Sequence, residues 1–197
     1  MALIFLSTQW RRLLRHREGG VAIELAFAFP IVLMAVVGLM ELAMITFVSA
    51  LMEGGLRDAS RFGITGNVPP DMTREEAIID VVNNRTLGLL GLTPADVTMR
   101  VYKAFDQVGK PEPITNDVNG NGTYDAGDTY TDINGNGQWD ADMAASGAGD
   151  AGEVVVYDIV IDWPLLTPLM APFIGQNGVI TLAASIAVRN EPWAVTP

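Results

Sequence analysis

The chain has 197 residues, with 23 acidic against 12 basic side chains, a formal net charge of −11 and no cysteine. That length accommodates one ordinary domain plus an appended segment. The lack of cysteine excludes disulfides and thiolate metal sites, and so acidic a surface repels phosphate backbones, which excludes nucleic acid as a partner.

Charge is unevenly spread. Residues 1–19 hold four of the basic residues and one acid, so the rest of the chain has 8 basic and 22 acidic side chains. No Lys or Arg falls between Lys110 and Arg189, and a stretch of that kind attracts cations.

Residues 1–18 read as a basic, amphipathic leader containing Arg11, Arg12, Arg15 and Arg17. Trp10 suits the lipid headgroup level, and His16, the single histidine, is one more polar leader residue. An apolar run from Val21 to Met52 follows, its only charges Glu24 and Glu41. About 20 apolar helical residues cross a bilayer core, so this run is long enough to span. The basic residues before it hold that end in the cytoplasm and place the later three-quarters of the chain on the far side.

An ordinary secretory signal has a shorter apolar region, with small residues after it. Here Gly19-Gly20 comes before it. The arrangement resembles a prepilin-type signal, in which a peptidase on the cytoplasmic face cuts after Gly and leaves the helix attached. A cut between Gly19 and Gly20 puts Glu24 at the fifth position of the processed chain. The alternative is a plain anchor whose Glu24 reaches the interface, since a carboxylate within lipid is costly.

Residues 21 to about 62 read as one helix, adjusted at Pro30, which lacks the N–H that bonds one turn back. Gly38 and Glu41 share a side. Glu41, deep within the run, reads either as an acid at the distal interface or as a polar contact with another helix. Gly63 and Gly66-Asn67 can stop the helix, and Pro69-Pro70 forbid its continuation. A second helix starts near Asp71, with Asp71 or Thr73 as cap and Glu75-Glu76 complementing the dipole. Its apolar stripe is Ala77, Ile78, Val81 and Val82, and it ends near Asn83-Asn84.

Residues 97–103 alternate as a strand. Residues 153–162 form a second strand whose blurred period implies partial burial on both faces, and residues 178–189 a third. Between the last two, Pro164, Pro168 and Pro172 rule out a regular central strand and imply a crossover with a short helical turn. The fold class is α+β: a long N-terminal transmembrane helix, then a small helix-plus-antiparallel-sheet domain with a calcium-loop insertion. The boundaries are a leader at 1–19, the helix at 20–62 and an extracytoplasmic domain at 63–197, which contains an acidic insertion at 112–150.

That insertion holds two copies of one pattern, Asp117-Val-Asn-Gly-Asn-Gly-Thr-Tyr-Asp125 and Asp132-Ile-Asn-Gly-Asn-Gly-Gln-Trp-Asp140. Oxygen-bearing side chains fall at positions 1, 3, 5 and 9 with Gly at 6, the positions from which an EF-hand-type calcium loop draws its ligands and its sharp turn. The candidate ligands of the first copy are Asp117, Asn119, Asn121, the main-chain carbonyl of Thr123, Asp125 and, at position 12, Asp128. Those of the second are Asp132, Asn134, Asn136, Gln138 and Asp140. There Met143 occupies position 12, and the last ligand must come from Asp142, another part of the chain or water. Gly127, Gly135 and Gly147 disfavour flanking helices. The loops resemble the helix-poor calcium loops of dockerin-like and thrombospondin type 3 repeats. The bland alternative is a solvated acidic loop of Asn-Gly turns.

Nothing in the inventory suggests catalysis. The lone histidine sits in the leader, no Gly-rich loop with a following Lys suits phosphate, and cation ligation accounts for the spacing of the acids. Tyr157 and Asp158 read as strand surface. A non-enzymatic protein is expected.

Several stretches together resemble the TadE-like family of Tad/Flp (tight adherence) pilus assembly proteins. Gly20-Val-Ala-Ile-Glu24-Leu-Ala-Phe-Ala-Phe-Pro30 is similar to that family's G-x-x-x-E-F-A-L-x-x-P opening. Gly38-Leu-Met-Glu41 is like its G-x-x-E element, and Asp58-Ala-Ser-Arg-Phe-Gly63 like its run of small residues ending in Arg and an aromatic. Trp163-Pro164 and Ala187-Val-Arg-Asn-Glu-Pro-Trp193 are similar more loosely, and the calcium-loop insertion departs from the compact family pattern. The resemblance implies a pilin-like minor pilin or pseudopilin in the inner membrane, single-pass, N-terminus cytoplasmic. It implies processing by the prepilin peptidase at Gly19/Gly20, with Glu24 either pairing with a neighbouring subunit's new N-terminal amine or orienting it in the membrane. Implied partners are other pilin-like subunits and platform proteins of the pilus assembly machine. The competing expectation is a membrane-anchored, calcium-dependent adhesion or binding domain that does not enter a pilus.

Overall fold

A computed structural model describes residues 19–66 and 68–192. The leader arginines, Trp10, His16, Asn67 and Trp193 lie outside the described residues.

The first helix, α1, spans Gly19–Gly63 and continues through Pro30. The second, α2, is Arg74–Arg85. The strands are β1 Val97–Tyr102, β2 Ile114–Asn116, β3 Thr129–Tyr130, β4 Ala145–Ser146, β5 Val154–Pro164 and β6 Val179–Arg189. β2 and β3 pair antiparallel as a separate ribbon, and the other four form one sheet in the order β4-β1-β5-β6. The chain divides into two compact units, one made of α1 up to Ile45 with residues 164–180, the other of Thr46–Trp163 and the chain from Thr181 on.

In the first unit α1 is open on nearly every side. Val21, Phe27 and Ile31 are 72%, 75% and 70% exposed, which sets this segment apart from the core helix of a water-soluble domain. Against it lies the connection between β5 and β6, with a 3-10 turn at Pro168–Met170 as its tip. Gly38 permits the approach, since a Cβ there would stand 3.1 Å from Met170 Cε.

The second unit takes over where α1 changes character. Val48, Met52, Leu56 and Ala59, spaced to share one helix face, are buried, and each of the larger ones contributes roughly 1.5–3 kcal/mol through burial. Of the two candidate caps for α2, Thr73 takes the role. Its side chain accepts the Glu76 N–H at 3.1 Å, while Glu76 Oε2 accepts the Thr73 N–H at 2.7 Å. The buried stripe of α2 is Ala77, Ile78, Ile79 and Val82, so Ile79 stands where Val81 was expected.

β1 and β5 pair antiparallel from Val97 opposite Ile159 to Tyr102 opposite Val154. Side chains alternate between faces along each strand, yet Val154, Val155, Val156 and Tyr157 are all buried. Both faces of this strand are therefore covered, as its blurred period implied. On the face of Tyr157 the backbone of Gly63 comes so close that a Cβ there would collide with the Tyr157 hydroxyl. Tyr102, Val154 and Val156 on the other face carry Met143, Val108, Ile133 and Ala144, so the acidic insertion is the second cover of the sheet.

Candidate functional site

The two Asn-Gly loops share one set of turn-forming hydrogen bonds. Asp117 Oδ1 accepts the Gly120 N–H at 2.6 Å and Oδ2 the Gly122 N–H at 2.7 Å; Asp132 does the same with Gly135 at 2.6 Å and Gly137 at 2.8 Å. Asn119 and Asn121 accept the N–H groups of Asn121 and Thr123, as Asn134 and Asn136 accept those of Asn136 and Gln138. Asn119 and Asn121 turn their amide nitrogens onto Asp125 Oδ2, and Asn134 and Asn136 turn theirs onto Asp140 Oδ2. The turn requires glycine at the sixth position: Gly122 and Gly137 sit at φ 73° and 77°, a region that disfavours side chains. The Gly122 N–H above all, helped by Gly120 and Asn121, holds the Asp117 carboxyl below its ordinary range; Asn119 and then Asn121 do the same for Asp125.

Each loop is closed by a carboxylate, and here the structure supplies what the sequence left open. Asp128 accepts the Val118 N–H at 2.9 Å and the Asp125 N–H at 2.8 Å. In the second loop the equivalent donors are Ile133 and Asp140, and both give their N–H to Glu112, at 2.7 and 3.2 Å. Glu112, 1% exposed, therefore stands where position 12 of the second loop should be. Asp142, one of the three sources left open for that ligand, takes hydrogen bonds from Arg100 Nη1 at 2.6 Å and from the Tyr102 hydroxyl at 2.8 Å. The acid preceding each loop thus closes the other one. Nothing local in the sequence marks this role, since Glu112 lies five residues before Asp117 and 28 before Asp140.

The aromatic residues at the eighth position join the pair. Tyr124 stacks on Trp139 at 4.9 Å between ring centroids and meets Tyr130 edge-on at 5.4 Å, while the Trp139 indole N–H donates to the Glu112 carbonyl at 3.0 Å. The donor set is all oxygen, carboxylate and amide, the chemistry of a hard cation such as calcium. Among the described residues no three His, Cys, Asp or Glu side chains converge as a cluster able to hold a metal. In each loop two amide nitrogens occupy Oδ2 of the ninth-position aspartate, Asp125 or Asp140.

At the other end of the chain, Gly19 and Gly20 open α1 and Glu24 is exposed on it. Glu41 is 1% exposed and accepts the N–H groups of Leu166 and Thr167 at 3.1 and 2.7 Å and the Thr167 hydroxyl at 3.0 Å. Among the described residues its partner is its own chain's β5–β6 connection, not a helix. Glycine at 38 and glutamate at 41 thus serve one purpose, seating that connection on α1.

Among the described residues one helix, near the N-terminus, is long and apolar enough to cross a membrane, and a small α+β region follows it. Residues 19–61 match the family model described as TadE-like protein, so the segment that carried the resemblance is TadE-like. No curated protein and no solved structure matches the chain significantly.

Proposed function

We propose that this protein is a structural, pilin-like component of a Tad/Flp-type pilus assembly system, a minor pilin or pseudopilin held in the inner membrane by α1. The observation that carries the reading is the coincidence of the TadE-like match at 19–61 with a helix whose apolar side chains face outward. Such a helix needs lipid or neighbouring helices around it. The peptidase cuts between Gly19 and Gly20, and Glu24 meets the freed amine of a neighbouring subunit. Partners are other pilin-like subunits and the assembly platform.

Calcium stabilises the extracytoplasmic domain in this reading. Asp117, Asn119, Asn121, Asp125, Asp128 and the Thr123 carbonyl hold one ion. Asp132, Asn134, Asn136, Asp140, Glu112 and the Gln138 carbonyl hold the other. Bound calcium supplies the positive charge that a stretch without Lys or Arg lacks, and millimolar-range affinity suffices outside the cell.

The test is complementation of a deletion strain. Glu24→Ala should fail to restore pili where the unaltered chain restores them. Normal pili in the deletion strain, with calcium-dependent adhesion lost, would favour the anchored binding domain instead. Calcium has its own check: residues 112–150 should resist protease with calcium and be cut with chelator, and equal cleavage in both would sink the role of the ion.

A further inference from the structure

We propose that the β5–β6 connection, residues 164–174, sits in the outer-facing leaflet of the membrane beside α1, so that the protein holds the bilayer with two elements. The proposal rests on the reading that α1 crosses the membrane.

The sequence of this connection is Pro-Leu-Leu-Thr-Pro-Leu-Met-Ala-Pro-Phe-Ile, and no charged side chain occurs anywhere from Trp163 to Val188 in an otherwise strongly acidic chain. It exposes large apolar groups: Leu166, Leu169 and Phe173 are 51%, 44% and 64% exposed. Water-facing loops carry polar residues, whereas irregular backbone at membrane depth must have its polar groups satisfied by protein.

Most N–H groups of this backbone find an acceptor in the protein. Pro164, Pro168 and Pro172 have no N–H to satisfy. Leu165 donates to Gly178; Met170 and Ala171 donate to Thr167 and Pro168; Phe173 and Ile174 both donate to Met170. Leu166 and Thr167 donate to the carboxylate of Glu41, which also takes the Thr167 hydroxyl. A buried acid on an apolar helix thereby neutralises the polar groups of a second, apolar element.

The placement along α1 agrees. At 1.5 Å per residue, Gly38 lies about 25 Å from Val21, close to the far side of a hydrocarbon core of about 30 Å. Met170, at the tip of the connection, packs on Gly38. The apolar surfaces of helix and connection are thus continuous at the depth where the outer-facing leaflet lies. Lipid chains, which need neither charge nor hydrogen bonds, fit this surface.

The absence of cysteine allows single-site labelling of the full chain. Fluorescent labels on Leu169→Cys, Phe173→Cys, Phe29→Cys and Val118→Cys would be compared in vesicles with and without brominated phosphatidylcholine. The expected result is loss of fluorescence at 169 and 173, as at 29, with the label at 118 unaffected. Labels at 169 and 173 that stay bright while the label at 29 is quenched would overturn the proposal and leave the membrane-crossing helix standing. A label at 29 that also stays bright would remove the anchoring reading itself, and this proposal with it.

Discussion

Glu112 and Asp140 are joined twice: the Glu112 N–H donates to the Asp140 carbonyl at 2.9 Å, and the Asp140 N–H donates to Glu112 Oε2 at 3.2 Å. A residue ahead of both loops is thereby tied into the second. Because Asp128, from the segment between the loops, closes the first, neither loop is an independent module. Glu112→Gln keeps one acceptor oxygen but loses the charge and half the donors' partners. Hydrogen bonds to a buried charged acceptor contribute about 1.5–3 kcal/mol each, so the second loop should exchange its amide hydrogens faster while β5 stays protected. Asp142→Asn, which alters only the Arg100 and Tyr102 network, should leave the second loop's exchange unchanged. Equal effects of the two substitutions on Ile133 and Asp140 would contradict the assignment.

The stack of Tyr124 on Trp139 couples the loops through their eighth positions. Offset aromatic pairs contribute about 0.5–1.5 kcal/mol beyond their buried area. A double-mutant cycle with Tyr124→Ala and Trp139→Ala should return a coupling of that size. Additive losses would mean that the rings pack independently.

Two glycines of α1 should behave in opposite ways. At Gly63 a Cβ would strike the buried Tyr157 hydroxyl, whereas at Gly54 it would meet nothing within 4 Å. Gly63→Ala should lower stability by about 1–3 kcal/mol, the cost of overpacking. Gly54→Ala should raise it by about 0.5–1 kcal/mol through helix propensity. Thermal unfolding of the full chain in detergent reads both, and a neutral Gly63→Ala would refute the close approach.

Asp117 and Asp125 set the acid limit of the first loop. Both carboxyls are held below their ordinary value of 3.8 in the folded chain, Asp117 first by the Gly122 N–H and Asp125 first by Asn119. A depressed folded value means stabilisation that is present above the ordinary value and lost as pH falls through the folded one. The amide signals of Gly120 and Gly122 should therefore stay in place from neutral pH down to about 4 and shift only in more acidic solution. A shift centred above 3.8 would show that the N–H groups do not favour the charged carboxylates.

Much of the fold was legible because local chemistry and tertiary packing agree. The apolar run gave α1, a cap at Asp71 or Thr73 with Glu75-Glu76 behind it gave the start of α2, and alternation gave β1, β5 and β6 to within about two residues. The short strands β2, β3 and β4 were not legible, since two or three residues carry no period. The repeated turn of the two loops was readable because its residues follow one another, as in Asp117 to Asp125. Glu112 was not, because its place is set by chain reversal over 28 residues to Asp140. Glu41 stood out as costly in an apolar run, but its partners at 166 and 167 lie 125 and 126 residues away and carry no sequence signal.

The N-terminal residue of the membrane-extracted protein, determined from cells with and without the prepilin peptidase, tests whether α1 is a processed, pilin-like helix. A chain that begins at Gly20 only when the peptidase is present is the predicted result. A chain that keeps Arg11 to Gly19 in both cells would contradict it and leave a simple anchored protein.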